Sequence, residues 1–181
     1  MYPGMTFDGE SAHHLMVIQQ RGERVSDRDL YTPAERARRD ASRWTLVQGI
    51  LAPLQFLVMI VSTILVVRSL MTGEGVFAAD VSVVLKTLTL YAIMVTGSLW
   101  EKDVFGKYLF AGPFFWEDVV SMGVIALHTA YVATLFVGFL SVEGRMLLAL
   151  VAYAAYGVNA AQFLLKLRRA RMQAPSSLSP A

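Results

Sequence analysis

The stretch EDVVSMGVIALHTAYVATLFVGFL, Glu117 to Leu140, decides the fold. From Val119 to Leu140 it is apolar and long enough to cross a bilayer as a helix, which takes about 20 residues. Yet it carries an acid, a hydroxyl, an imidazole and a phenol. At about 100° per residue, Glu117, Ser121, His128 and Tyr131 fall within an arc of roughly 80°. Polar and ionisable groups at such depth are costly and usually face a bundle interior or a cavity. A single polar stripe on a greasy segment therefore implies both a helical membrane bundle and an interior that serves a purpose.

Three further apolar segments surround this one, from about Thr45 to Leu70, Val81 to Trp100 and Met146 to Leu167. Each is long enough to span. Pro53 inside the first is tolerable because neighbouring helices can satisfy a freed carbonyl. Ahead of them, Thr32-Pro33-Ala34-Glu35 is a helix start with a cap, a proline at the first helical position and a capping-box glutamate. The basic run that follows, to Arg43, predicts a short helix at the membrane surface. The expected fold is all-α: a four-transmembrane-helix bundle over residues 31–172, with helices near 45–70, 81–100, 119–140 and 146–167 and a short N-terminal interfacial helix. Residues 1–30, which mix acids and bases with Gly, Ser and His, read as a flexible and dispensable tail, and residues 173–181 as a second tail.

Lys and Arg near the helix ends set the orientation. Arg36, Arg38, Arg39 and Arg43 precede the first span, Lys102 and Lys107 lie in the middle connection, and Lys166, Arg168, Arg169 and Arg171 close the fourth. The other two connections hold only Arg68 and Arg145. Both termini and the middle connection are therefore expected in the cytoplasm.

The chain of 181 residues is 55% hydrophobic, with a mean hydropathy of +0.50, too apolar for an ordinary soluble domain. It has no cysteine, which excludes disulfides, thiolate nucleophiles, zinc–thiolate sites and iron–sulfur clusters. No Walker loop, dinucleotide fingerprint or nucleic-acid motif occurs, and no repeat of the kind transporters use.

The chemistry-bearing residues gather around the middle connection. Trp100-Glu101-Lys102-Asp103 opens it and Pro113-Phe114-Phe115-Trp116-Glu117-Asp118 closes it. One reading is an interfacial loop, with aromatic anchors and solvated carboxylates. The other is a mouth for a large flat ligand, with Glu101, Glu117 or Asp118 as proton donor, because an acid against aromatic walls can keep its proton near neutral pH. Glu117 is the first choice. It lies on the His128 face beside Trp116, whereas Asp118 points about 100° away. His128 is open to three readings: an interhelical hydrogen bond, an axial ligand to the metal of a tetrapyrrole, or an acid–base group. Tyr131 either orients it or packs. Lys86, near the start of the second span, is expected to snorkel to the far interface; it shares a face with Thr89, Thr96 and Trp100, so an inward role is the weaker alternative. Gln48, Gln55, Ser62 and Ser69 recur every seven residues on the first span, and Tyr156, Asn159, Gln162 and Lys166 line one side of the fourth. These stripes predict a polar bundle interior.

The segments RRDASRWTLVQG (38–49), LAPLQFL (51–57), LYAIMVTG (90–97), WEK (100–102), FWEDVVSM (115–122), ALHTAY (126–131) and NAAQFLLKL (159–167) closely resemble the 3-vinyl bacteriochlorophyllide hydratase family, called 2-vinyl in the older numbering. The resemblance runs from about Tyr31 to Met172. It implies an enzyme of bacteriochlorophyll a synthesis in a bacterial inner membrane, adding water to the C3 vinyl group of chlorophyllide a or 3-vinyl bacteriochlorophyllide to give a 1-hydroxyethyl group. The implied substrate is a magnesium chlorin that brings its own metal, with no further cofactor. The lipid bilayer and other enzymes of the same synthesis are candidate partners, and nucleic acid is not. Within that chemistry Glu117, Glu101, Asp118 and Tyr131 are candidates for catalysis. His128, Trp100, Phe115, Trp116, Ser121, Asn159 and Gln162 are candidates for substrate binding, His128 as axial ligand to the substrate magnesium. The competing reading is a non-enzymatic chlorin carrier or photosystem assembly protein, which needs a magnesium ligand and apolar walls but no carboxylates.

Overall fold

The computed structural model describes residues 30–172, and all of its regular structure there is helical. The expected tails, except for Leu30 itself, lie outside these residues. A short helix α1, Pro33–Ala41, is followed by four long ones: α2, Arg43–Thr72; α3, Val76–Phe105; α4, Phe115–Val137; and α5, Val142–Met172. A single 3₁₀ turn, Gly112–Phe114, leads into α4. Each of the four long helices is apolar and long enough to cross a membrane.

The helix starts follow from local chemistry. At Thr32 the capping box forms as the sequence predicts: its hydroxyl accepts the Glu35 N–H at 3.2 Å while the Glu35 carboxylate accepts the Thr32 N–H at 2.8 Å. Ser42 ends α1 and caps α2, accepting from the Trp44 N–H at 3.3 Å. Helix α2 runs through Pro53 without a break. The α2–α3 turn is built on Gly73 and Gly75, both left-handed at φ 72°, a conformation that glycine adopts without steric cost.

Helix α2 packs along α3 and α4 along α5, while α2–α5 and α3–α4 contacts close the ring. Its exterior is apolar, with Ile50, Leu57, Ile64, Leu88, Phe136 and Leu164 all exposed. Its interior carries the polar stripes. Gln55, Ser62 and Ser69 are buried, and Gln48 bonds across to Thr96 at 2.7 Å. With hydrocarbon outside, polar groups are better placed between helices, where some find partners, as Ser62 does on Ser82 and Tyr153, and small residues let the backbones approach.

The helices are longer than the apolar runs alone suggest, because their amphipathic ends continue the hydrogen-bonded turn beyond the hydrocarbon. The exception is the C-terminal end of α4, which stops at Val137 because Gly138 is left-handed at φ 68°. The early start of α3 corrects the expectation for Lys86. It stands ten residues into the helix, roughly 15 Å from the end, and is fully buried instead of snorkelling. Helix α1 lies against the last turn of α3: Arg38 Nε donates to the Val104 carbonyl at 2.8 Å and the Ser42 hydroxyl to Asp103 at 2.7 Å.

Candidate active site

The end of the bundle where α3 meets α4 holds three buried acids: Glu101 from the last turn of α3, and Glu117 and Asp118 from the first turn of α4. The connection between the helices folds back over two of them. The Glu101 carboxyl accepts the Ala111 N–H at 3.1 Å, and Asp118 accepts the Phe110 N–H at 2.7 Å. Holding Phe110 in that position puts it at φ 58°, left-handed and strained for a bulky residue. The two carboxyls are held by the N–H groups of consecutive residues, Phe110 and Ala111, which draws them to the same place, and a hydrogen bond between two carboxyls needs a proton on one of them. Glu117 has a different partner. Its Oε2 lies 2.6 Å from Lys166 Nζ, a half-buried ion pair.

Asp118 is therefore inside, although the face reckoning pointed it away. At the first turn of a helix the backbone still comes out of the loop, so two successive side chains can both turn inward. The aromatic walls also differ from expectation. Trp116 is 71% exposed and Phe115 43%; they pack on each other, and Phe115 also on Phe110. The walls near the acids come from Phe114, which sits 5.6 Å from Trp100 and 5.9 Å from Phe163 between ring centroids, with Phe105 and Tyr31 completing the cluster. Trp100 is fixed by its Nε1–H, which donates to the Thr45 hydroxyl at 3.0 Å. Tyr31 was not foreseen. Burial pushes its hydroxyl up to about 12 against the lowering pull of Arg39, so it serves as a protonated wall. Its only sequence signal was an aromatic residue next to a helix cap.

A second polar layer lies deeper. The Asn159 amide donates to Ser121 Oγ at 2.8 Å, joining α4 to α5, while Asn159 Oδ1 and Gln162 Oε1 have no partners among the described residues. Beyond them sits His128, fully buried, its Nδ1 2.8 Å from the Val124 carbonyl. A carbonyl only accepts, so Nδ1 carries the proton and Nε2 presents a bare lone pair. Nε2 has no partner among the described residues. The His128 ring lies 5.7 Å from that of Tyr153, whose hydroxyl bonds to Ser62. Lys86 Nζ rests 3.7 Å over the Tyr156 ring.

Tyr131 belongs to the opposite end. It donates to Asp80 Oδ1 at 2.6 Å, and Asp80 Oδ2 pairs with Arg145 at 3.0 Å. Thirteen residues of rise, roughly 20 Å, separate Tyr131 from Asp118, and the structure does not bring it to the acids. It does bring together Glu101, Asp118, Glu117 and Trp100 at the mouth, with Ser121 and Asn159 just inside.

A family model described as 2-vinyl bacteriochlorophyllide hydratase matches residues 31–169. Two curated proteins of that name are similar to the chain. One, from Rhodobacter capsulatus, is 64% identical over 151 residues, 83% of this chain and 88% of the relative. The other, from Cereibacter sphaeroides, is 64% identical over 146 residues, 80% and 90% of the two chains. No solved structure matches the chain.

Proposed function

The chain belongs to the 2-vinyl bacteriochlorophyllide hydratase family, a hydratase of bacteriochlorophyll synthesis, and we propose that its Glu101–Asp118 pair carries the proton chemistry. The observation behind this reading is that two buried carboxyls are bound by the N–H groups of adjacent loop residues, Phe110 and Ala111, an arrangement that suits a pair sharing one proton. The protonated member gives that proton to the terminal carbon of the vinyl group. The vinyl π electrons form the new C–H bond, and the positive charge left on the inner carbon spreads into the macrocycle. Water bonds through oxygen to the inner carbon, and the extra proton on that oxygen returns to the carboxylates. The sum is vinyl plus water to 1-hydroxyethyl, with the pair restored. No electrons enter or leave, so the reaction calls for no redox cofactor, and the magnesium arrives with the substrate. Positioned acid–base groups of this kind typically contribute about 10² to 10⁴ in rate.

Glu117 is committed to Lys166 as an ion pair, which makes it a weaker donor than the pair beside it. His128 supplies the magnesium ligand. Its Nδ1–H is held by a carbonyl, an arrangement that fixes the tautomer and strengthens Nε2 as a ligand. The bond to Val124 draws the imidazole one turn toward the mouth. Six residues of rise, roughly 9 Å, then separate that level from Asp118. This suits a macrocycle gripped at its centre with the vinyl edge turned to the acids. Orientation follows the Lys/Arg asymmetry: the acid end faces the cytoplasm.

The test is chromatography of chlorophyllide a after incubation with membranes carrying Glu101→Gln, Asp118→Asn or Glu117→Gln. Hydration should fall by about 10² or more in the first two while chlorin binding persists. Normal turnover in both, with loss in Glu117→Gln, would move the acid to Glu117.

A further inference from the structure

We infer that Lys86 receives a carboxylate of the substrate, the free propionate that distinguishes a chlorophyllide from its esterified forms. The inference rests on the hydratase reading above and adds a recognition point at the far edge of the ring.

Lys86 is fully buried in the bundle, and its Nζ has no hydrogen-bond acceptor among the described residues. The acids that face the interior are already engaged. Asp80 holds Tyr131 and Arg145, Glu117 holds Lys166, and Glu101 and Asp118 hold the loop N–H groups. What faces the ammonium is the Tyr156 ring. A cation–π contact alone does not offset removing an ammonium from water, which calls for an anion and further hydrogen bonds. A lysine at this depth without an internal counter-charge gives up its proton unless an anion from outside stabilises the charged form.

The neighbours fit a carboxylate. Gln55 is 1% exposed, and both polar atoms of its amide are without partners among the described residues. Ser62 meets Ser82, and Gln48 meets Thr96. Gln55, midway between the two, therefore lies opposite Thr89, one turn from Lys86. Its Nε2–H₂ is a second buried, unpartnered donor on the helix facing Lys86. His128 and Lys86 flank one face of α5, through Tyr153 and Tyr156 respectively. These residues are three apart and so share a side of the helix. The unpartnered Nε2 of His128 and Nζ of Lys86 therefore lie toward the same side of α5, and a macrocycle held at the first would bring its edge toward the second. Of the peripheral groups on such a molecule only the propionate is anionic, and esterification removes that charge.

The experiment compares chlorophyllide a with its methyl ester on the full-length protein in lipid, reading dissociation constants by chlorin fluorescence and hydrated product by chromatography. The wild type should bind the free acid at least about tenfold more tightly. Lys86→Met should weaken binding of the acid to the level of the ester and leave the ester unchanged. Lys86→Arg should keep part of the preference. Equal binding of the two compounds by the wild type, or a preference that survives in Lys86→Met, overturns the inference. Should Lys86→Met fail to accumulate, Lys86→Gln takes its place with the same expected and overturning results. A wild type that prefers the acid but hydrates neither compound would sink the hydratase reading and leave this site standing.

Discussion

At His128 a single local bond divides the chemistry of a ring between its two nitrogens. Nδ1–H is used up on Val124, so any ligand role belongs to Nε2. A His128→Ala variant should bind chlorin at least about tenfold more weakly, and added imidazole should restore binding with the absorption bands of a ligated magnesium. Wild-type affinity with unchanged bands but no product would make His128 a water-activating base instead, since a loss confined to turnover marks a transition-state role. The burial of His128 was legible because its depth in an apolar run is plain from the sequence. Its tautomer was not, because that depends on where the ring swings relative to the preceding turn. Lys86 was misread for a similar reason. Its distance from the membrane surface depends on where α3 begins, and the apolar run conceals that start. The signal was the Gly73-Glu74-Gly75 turn, which places the start at Val76.

Among the elements, the connection between α3 and α4 has the most to do with the acids and was the least legible. Its composition suggested aromatic walls, but which rings turn inward depends on the 3₁₀ turn at Gly112–Phe114. That turn buries Phe114 and leaves Trp116 outside. By contrast, the seven-residue polar stripe of α2 was readable, because a regular helix fixes its faces over many turns. Helix α1 is more than a surface float. Its preceding Tyr31 stacks at 5.9 Å on Phe105 and tilts against Phe114, and Leu30 packs on the same cluster. Tyr31→Ala should therefore cost about 3 kcal/mol, as for a buried aromatic elsewhere, seen as a lowered melting temperature in detergent. A chain shortened to begin at Leu30 should keep its activity, whereas one shortened to begin at Arg43 should lose both stability and hydration. Full activity in the second chain would show that the α1 contacts are dispensable.

Across the whole molecule, the bundle has one chemically busy end. Helix α1 docks on the last turn of α3 through Arg38 and Ser42, and Lys166 reaches Glu117 from the last turns of α5. The N-terminal helix, the middle connection and the end of α5 therefore gather on one side, together with Arg36, Arg38, Arg39, Arg43, Lys102, Lys107, Arg168 and Arg169. At the opposite end Arg145 is neutralised by Asp80, and Arg68 lies 3.8 Å from Glu74. Because translocation disfavours loops rich in Lys and Arg, the busy end should stay in the cytoplasm. The acids would then exchange protons and water with the cytoplasmic side. Reporter domains fused ahead of residue 30 and after Met172 should both report the cytoplasm. A periplasmic signal from both would invert the bundle and place the acids at the other surface. Signals from opposite sides would require an odd number of spans and break the four-helix ring itself.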